Sequence, residues 1–376
     1  MGSMFKQDVV STAHVMVVGC GALGNEVLKN LVLMGVRHLV VVDFDVVEAD
    51  NLTRSVFFAI DDAKAGRKKA LVIAERLQKM NPATEVQVIC GDIAYDVGLG
   101  LIRRMDVVIG CVDNRWARYC INRLCMRAGK PWVDGGIDHL EGTARVFMPG
   151  ENCYACSLGP EGLRDLAFRM PCAGTVRRDM ESGKVPTTSI AASIIAAVQV
   201  QEALKLICKK QMNQDEASSL CGKMFYYEGM HLSTRLVSFK AYDEDCPVHE
   251  QWEPVVQTTI TSHDTVAEVL DELGQTLHTD TVSFSLVNDC FVDWLTRRDE
   301  EKRVSVMLPG HCVTAWLESE ETLSGVPLSA LLQHEYRIID SRFPYQELSL
   351  RQLGIPEEDI LCVQTPVSDR YIQLKS

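Results

Sequence analysis

The chain has 376 residues, a length that suits two domains of ordinary size. Hydrophobic residues make up 47% of it and charged residues 24%, a balance that excludes a wholly disordered or fibrous protein. No charged-then-apolar leader follows Met4, and the longest strongly apolar stretch is too short to cross a bilayer. We therefore expect a cytoplasmic protein with no membrane partner.

Almost all of the net charge of −13 lies in the last third of the chain. Residues 251–376 contain 21 acidic and 9 basic residues, whereas residues 1–250 contain 30 and 29. Nucleic-acid binding needs a basic face, so we expect no nucleic-acid partner. The acidic segment favours a basic protein partner, although an acidic surface that only keeps the protein soluble would have the same charge.

The first predicted elements form a βαβ unit around a glycine-rich turn. A strand over 14–18 ends in Gly19-Cys20-Gly21-Ala22-Leu23-Gly24, a helix follows over 25–33, and a strand over 38–42 ends at Asp43. The G-x-G-x-x-G spacing lets the backbone approach a phosphate or a ribose, and the helix N-terminus offers free N–H groups. Asp43 is placed to accept hydrogen bonds from a ribose.

The later elements continue this alternation of strands and helices. We predict helices over 70–79 and 115–127 and strands over 86–89, 106–110 and 132–135. This order is typical of an α/β fold with a doubly wound, largely parallel, Rossmann-like sheet. A long apolar helix over 187–207 is expected to be buried on most sides, and the weakly periodic segment before it is expected to be a functional loop.

The pattern changes after residue 250. We predict a helix over 264–273 capped by Asp264, a strand over 282–287, a helical turn over 348–353, and closing strands over 359–364 and 370–374. These elements are typical of a small α+β domain. We accordingly expect an adenylation domain over 4–250, with a catalytic-cysteine or crossover segment over 157–186, and a second, β-grasp-like domain over 251–376.

The glycine signature alone would suit an NAD-dependent dehydrogenase equally well. Polar residues after the other strands favour ATP, because a site that cleaves ATP needs cations for the triphosphate and a carboxylate for Mg²⁺. These candidates are Asp43, Asp45, Asn51, Arg54, Lys69, Asp113 and Asn114. The chain has no G-x-x-x-x-G-K-[ST] loop, so it is not a P-loop enzyme.

Residues 14–249 resemble the adenylating enzymes that activate ubiquitin-like and sulfur-carrier proteins. The resemblance depends on the ordered motifs above, on residues 134–145 (DGGIDHLEGTAR) and on residues 245–249 (DCPVH). Within the family, the likeness is greatest to the catalytic subunit of the NEDD8-activating enzyme. It implies ATP-dependent adenylation of the C-terminus of a ubiquitin-like protein, thioester formation on an enzyme cysteine, transfer to a conjugating enzyme, and a homodimer.

The resemblance also implies a role for each residue of the ATP site. Gly19, Gly21 and Gly24 would line the adenosine site and Asp43 would bind the ribose; Asn51, Arg54 and Lys69 would contact the phosphates, and Asp113 would hold Mg²⁺. Lys68 competes with Lys69, although the spacing from Gly66 favours Lys69. Many family members have an Arg-Tyr-x-Arg segment before the first strand, and residues 4–13 contain no arginine. A different residue or a separate subunit could supply the arginine that such a segment extends into a partner's ATP site, or the site could work without it.

Four residues have the spacing of a structural zinc site. They form the pairs Cys153-x-x-Cys156 and Cys246-x-x-His249. The fourth ligand in the family is usually cysteine, so His249 is a departure, and four unligated residues are the alternative. Another set of cysteines lies in apolar sequence and is expected to be buried: Cys20, Cys90, Cys111, Cys120 and Cys125.

Cys172 is the predicted nucleophile, because it lies where family members have a thioester-forming cysteine. Arg177 and Arg178 follow closely and would lower the pKa of its thiol, although a loop cysteine without a role is the alternative. Residues 350–363 resemble the end of the ubiquitin-fold domain that recruits a conjugating enzyme in such proteins. The acidic charge of the domain agrees with that role.

Three other functions stay open at this point. A sulfur-carrier adenylyltransferase of thiamine or molybdopterin synthesis would share all of the ATP residues and would need no thioester on Cys172. A catalytically silent scaffold subunit of a heterodimer would not need the complete set of ATP residues. A simple NAD oxidoreductase is the remaining alternative.

Overall fold

The computed structural model describes residues 5–169, 187–209, 220–239, 242–279, 281–297, 303–324 and 330–376. Their contacts cluster into two compact units. The first unit takes the described residues of Met1–Ala94, Ile102–Leu163 and Val185–Gln251, and the second takes those of Tyr95–Leu101, Arg164–Lys184 and Trp252–Ser376.

The first unit is built on an eight-stranded sheet with the order β3-β2-β1-β4-β5-β6-β7-β8. The strands are β1 (His14–Val18), β2 (His38–Val42), β3 (Glu85–Ile89), β4 (Val107–Gly110), β5 (Trp132–Asp138), β6 (Glu141–Phe147), β7 (Lys223–Glu228) and β8 (Ser233–Ser238). The pairs from β3 to β5 are parallel, with Val15 opposite both Leu39 and Val107, and the pairs from β5 to β8 are antiparallel. The largely parallel α/β sheet is thus confirmed, and it has an antiparallel extension.

Helices connect the strands, and those predicted over 25–33, 70–79, 115–127 and 187–207 begin and end close to the predicted positions. The helices are α1 (Gln7–Thr12), α2 (Ala22–Leu33), the short 3₁₀ helix Ala49–Thr53, α3 (Ile60–Lys64), α4 (Lys69–Met80), α5 (Leu99–Arg104), α6 (Arg115–Arg127), α7 (Tyr154–Arg169) and α8 (Ser189–Ile207). The residues before 170 in the expected crossover loop are therefore helical, with a break at Gly159, where φ is 67°. A glycine tolerates that left-handed backbone, which ends one helical run and starts the next.

Helix α8 is the buried apolar helix that the sequence predicts. Contrary to the expectation of a stretch too short to cross a bilayer, its 19 residues are long and apolar enough by length and composition, a test that core helices of soluble proteins also pass. Here Ile195 and Ala196 belong to the core of the first unit. Close packing on the sheet requires a glycine at position 142, because a Cβ there would lie 2.3 Å from the Ile195 side chain.

The second unit contains a five-stranded sheet with the order β14-β10-β15-β16-β9 and helix α9 (Val266–Leu277). Its strands are β9 (Val255–Gln257), β10 (Ser283–Ser285), β14 (Ile338–Ile339), β15 (Ile360–Gln364) and β16 (Asp369–Gln373). Helix α9 buries Val266, Val269 and Leu273 in the same core as the strand residues Phe284 and Val363. This is the expected α+β architecture.

The N-cap of α9 differs from the prediction. Thr265, not Asp264, caps the helix, because its hydroxyl accepts from the Glu268 N–H while Glu268 accepts from the Thr265 N–H. This reciprocal capping box satisfies two free backbone donors. Asp264 instead accepts from the backbone N–H of Thr261 at 2.7 Å.

A further small sheet lies between β10 and β14 in the chain. Its order is β12-β11-β13, from β11 (Phe291–Arg297), β12 (Arg303–Pro309) and β13 (Ala330–Tyr336), with helix α10 (Gly310–Ser324) between the last two. Val292 and Leu295 of β11 form a separate core with Val313 and Leu317 of α10. The residues that follow β10 therefore form an insertion with a core of its own.

Candidate active site

The glycine turn after β1 contains glycines with two different physical roles. Gly19 has a φ of +98°, and a Cβ there would lie 2.5 Å from the carbonyl oxygen of Cys111; a Cβ at Gly24 would lie 1.9 Å from that of Gly19. A Cβ at Gly21 would meet no atom within 4 Å. Packing within the chain therefore accounts for Gly19 and Gly24, while Gly21 leaves open space at the start of α2, as a bound nucleotide would need.

These contacts predict opposite results for two alanine variants. Gly24→Ala is expected to lose about 3 kcal/mol or more of folding stability, since backbone must move to admit the methyl group. Gly21→Ala is expected to melt within about 2 °C of the unaltered protein but to bind ATP about tenfold more weakly, because its methyl group occupies the open space. Thermal melting and calorimetric ATP titration would measure both. Unchanged ATP affinity of Gly21→Ala would contradict the prediction.

Asp43, directly after β2, contacts the glycine turn through one carboxylate oxygen and its own loop through the other. Oδ2 accepts from the backbone N–H of Cys20 at 2.7 Å, and Oδ1 accepts from that of Asp45 at 2.8 Å. Burial raises the pKa of the Asp43 carboxyl, and the nearby Lys69 opposes that rise. Each carboxylate oxygen can accept more than one hydrogen bond, so Asp43 keeps capacity for a ribose hydroxyl.

Both candidate lysines lie next to the chain that leaves β2. Lys69 Nζ forms an ion pair with Asp45 Oδ2 at 2.7 Å, and its side chain is nearly buried. Lys68 Nζ donates to the carbonyl oxygen of Phe44 at 2.5 Å. Phosphate binding by either lysine would require it to exchange or share this acceptor, so both alternatives stay open.

Asn51 and Arg54 lie in and directly after the short 3₁₀ helix. Asn51 is buried, and its Oδ1 accepts from the backbone N–H of Glu48 at 3.0 Å. The Arg54 guanidinium lies 4.0 Å from Asp50, and about a quarter of its side chain is exposed. Asn51 therefore stabilises the loop, whereas the partly exposed guanidinium of Arg54 is accessible to a phosphate.

Asn25 links this loop to the glycine turn, a function that the sequence analysis missed. Its Nδ2 donates to the carbonyl oxygens of Cys20 and Gly21, and its Oδ1 accepts from the backbone N–H of Phe57 at 3.0 Å. The side chain is fully buried. The available signal was an asparagine in the first turn of α2, directly after Ala22, Leu23 and Gly24.

Asp113 and Asn114 follow β4 at the same edge of the sheet as the glycine turn. Both are exposed, and Asn114 caps α6 by accepting from the Ala117 N–H at 2.8 Å. Asn114 Nδ2 also lies 3.4 Å from Asp113 Oδ1. An exposed carboxylate at this edge has the ligand type that Mg²⁺ prefers.

Asp134 on β5 forms a buried ion-pair cluster that the sequence analysis did not assign. One oxygen accepts from Arg118 Nε at 2.9 Å and the other from Arg145 Nε at 3.0 Å. Arg118 also donates to the carbonyl oxygen of Gly135. Two guanidinium groups thus compensate one fully buried carboxylate and connect α6, β5 and β6.

The four predicted zinc ligands come together. Cys153 Sγ lies 3.6 Å from Cys156 Sγ and 3.8 Å from Cys246 Sγ, and Cys156 Sγ lies 3.2 Å from His249 Nε2. All four ligand atoms lie within 4.8 Å of one another, and the three cysteines are buried. Zn–S bonds of about 2.3 Å in a tetrahedron place sulfurs about 3.8 Å apart, so the donor set fits Zn²⁺.

The three thiols of this cluster differ: the pKa of Cys153 is lowered, whereas burial raises the pKa of Cys156 and hydrogen bonding with Cys153 raises that of Cys246. Hydrogen bonding with Cys246 is the largest cause that lowers the pKa of the Cys153 thiol, to about 5. Zinc binds the thiolate form of cysteine. Nδ1 of His249 is buried without a hydrogen-bond partner among the described residues, so Nε2 is the ring nitrogen that faces the cluster.

The remaining cysteine predictions have different outcomes. Cys20, Cys111, Cys120 and Cys125 are buried as expected, and burial raises the pKa of Cys120 to about 12. Cys90 is exposed, so the prediction for it is wrong: it is the residue after β3, an edge strand whose side chains are only partly covered. Cys172, Arg177 and Arg178 lie outside the described residues.

Comparison with known families identifies the first unit. The sequence model of the ThiF family matches residues 3–248, about two thirds of the chain. Residues 252–376 lie beyond that match.

Curated relatives of the chain include enzymes from archaea, bacteria and mammals. The chain is 32% identical over 242 residues to the SAMP-activating enzyme E1 of Haloferax volcanii, covering 64% of this chain and 82% of the relative. It is 31% identical over 248 residues to the sulfur carrier protein adenylyltransferase of Thermus thermophilus, covering 64% and 84%. It is 32% identical over 240 residues to the adenylyltransferase and sulfurtransferase MOCS3 of Mus musculus, covering 64% of this chain and about half (48%) of that relative.

Solved structures agree on the fold. The structure of E. coli MccB with ATP superposes with a TM-score of 0.52 at 23% identity and covers 65% of this chain and 68% of MccB.

Proposed function

Since the chain belongs to the ThiF family of adenylating enzymes, we propose that it adenylates the C-terminal carboxylate of a small sulfur-carrier or ubiquitin-like protein. The observation that supports this most directly is the charge pattern at one edge of the parallel sheet. Arg54 and Lys69 follow β2, and the exposed Asp113 follows β4, on either side of the open glycine turn after β1. A dehydrogenase would not need these cations.

The proposed reaction gives each of these residues a role. A carboxylate oxygen of the carrier attacks the α-phosphorus of ATP, the bond to the oxygen that bridges to the β-phosphate breaks, and pyrophosphate leaves. Gly21 would admit the nucleotide, Asp43 would hold the ribose, and Arg54 with Lys69 would neutralise charge on the phosphates. Mg²⁺ bound at Asp113 would supply further charge neutralisation on the phosphates.

The names of the relatives favour the sulfur-carrier class of substrate. One of those compared above is named a sulfur carrier protein adenylyltransferase, another an adenylyltransferase and sulfurtransferase, and the third a SAMP-activating enzyme E1. Transfer to a conjugating enzyme by an acidic, ubiquitin-fold-like domain over 251–376 is the second candidate. It is favoured by the net charge of −12 in that segment and by its α+β architecture with helix α9.

The test is ATP–pyrophosphate exchange with purified candidate carriers that end in glycine. We expect exchange that depends on the carrier and falls at least 100-fold when its C-terminal glycine is removed, because the attacking carboxylate is displaced. The truncated carrier is the matched control. No exchange with any carrier, together with NAD binding, would contradict the proposal and favour an oxidoreductase.

The two candidates differ at Cys172. If Cys172 forms a thioester, its thiolate attacks the carbonyl carbon of the adenylate, the C–O bond breaks and AMP leaves. Unaltered protein would then form a thiol-sensitive carrier adduct in non-reducing gels, and Cys172→Ala would lose the adduct while keeping pyrophosphate exchange. An adduct that persists in Cys172→Ala would remove Cys172 from this role, and the absence of any adduct would favour adenylation alone.

The metal and the assembly complete the proposal. A Zn²⁺ ion held by Cys153, Cys156, Cys246 and His249 would have a structural role, since four protein ligands leave no open position for chemistry. The homodimer implied by the sequence resemblance remains part of the proposal.

A further inference from the structure

Asn122, on α6, is a fully buried residue next to the proposed zinc ligands. Its Oδ1 accepts two hydrogen bonds, from Trp132 Nε1 at 3.2 Å and from the backbone N–H of Tyr154 at 3.0 Å. Both partners are groups that can only donate, so the oxygen of the amide must face them. The orientation of the side chain is thereby fixed.

The nitrogen of the same amide, Nδ2, is a hydrogen-bond donor without an acceptor among the described residues. Nδ2 is buried and completes no hydrogen bond with any described residue. Tyr154, whose backbone N–H donates to Oδ1, directly follows Cys153, so the Asn122 amide lies beside the backbone at Cys153. A buried N–H group without an acceptor is costly, and a thiolate is an acceptor.

The net negative charge of the zinc-bound cluster explains why a hydrogen-bond donor next to Cys153 would be favourable. Three cysteine thiolates and one neutral histidine around Zn²⁺ have a net charge of −1, and the Cys153 side chain has no exposure to water. Hydrogen bonds from neighbouring groups orient metal ligands and stabilise their charge. The unused N–H of Asn122 can do this for Cys153.

We propose that Asn122 is a positioning residue for the zinc centre, whose Nδ2 donates an N–H···S hydrogen bond to Cys153 when the metal is bound. This inference rests on the metal proposal and is independent of adenylation. Because Oδ1 is held by Trp132 and Tyr154, the same side chain connects the centre to β5 and to the start of α7.

The test uses the full chain and the variant Asn122→Asp. This change keeps the acceptors for Trp132 and Tyr154, removes the donor and adds negative charge beside Cys153. We expect zinc affinity, measured by competition with a chromophoric chelator, to fall about 10- to 100-fold. In the Co²⁺-substituted protein, the thiolate-to-metal charge-transfer bands are expected to move to longer wavelength, a change that a purely structural role would not produce.

Trp132→Phe is the matched control. It removes one donor to Oδ1 and lowers folding stability but leaves Nδ2 in place, so zinc affinity is expected to stay within about threefold. If Asn122→Asp does not fold, Asn122→Ser, which adds no charge, is measured in the same way. Unaltered zinc affinity and unaltered Co²⁺ bands would overturn the proposal. A failure of the unaltered chain to bind either metal would also overturn it, and pyrophosphate exchange would then still test the proposed function separately.

Discussion

Asp113→Ala is expected to fold normally and to lose about 100- to 1,000-fold of its ATP–pyrophosphate exchange rate. The carboxylate is exposed after β4, and its contact with Asn114 is long, at 3.4 Å. Its removal is therefore expected to change folding stability little. In the proposed reaction it holds Mg²⁺, and without it negative charge on the phosphates opposes the attacking carboxylate. The loss is expected mainly in the exchange rate at saturating carrier, because carrier binding does not need this group.

The control for this variant is Asp61→Ala. Asp61 is also an exposed aspartate, on α3, with a surface contact to Lys64 at 3.7 Å. Such exposed ion pairs contribute little to stability. We expect its exchange rate and melting temperature to match those of the unaltered protein, and equal losses in both variants would contradict the role of Asp113.

Cys246→Ser is expected to release the metal and to lower the melting temperature of the chain by about 6–12 °C, corresponding to about 3 kcal/mol. The residues around Cys246 and His249 lie in no helix or strand. Coordination of the same metal ion by Cys153 and Cys156 would therefore be a main contribution to holding this segment in place. Zinc content by elemental analysis and thermal melting are the two measurements.

Cys221→Ser is the matched control for the metal site. Cys221 is a partly buried free cysteine outside the cluster. We expect it to keep one zinc per chain and to melt within about 2 °C of the unaltered protein. If Cys246→Ser also kept its zinc and its melting temperature, the four residues would be unligated neighbours.

The parallel half of the sheet could be predicted from sequence because its signals are local. The apolar runs at β1, β2 and β4, the glycine turn and the start of α6 each lie within a few residues of chain. The outermost strand of the antiparallel extension, β8, had no such signal. Five of the six residues of β8 are exposed, so its sequence has no alternation of buried and exposed positions to detect.

Candidate site residues could be proposed from the sequence, whereas their contacts could not. The zinc set could be named because each half has a fixed short spacing, although the halves are about 90 residues apart. Asn25 and Asn122 are buried polar residues inside helices, and their partners Phe57 and Trp132 lie outside those helices. No periodicity reports such pairs, so only the fold shows what they contact.

A crystal structure of the chain with bound Mg²⁺ and ATP would test the central claim most directly. We expect the nucleotide over Gly21, the Asp113 carboxylate in contact with Mg²⁺, and the Arg54 guanidinium in contact with the phosphates. A complex in which Arg54 and Asp113 both face away from the triphosphate would contradict it.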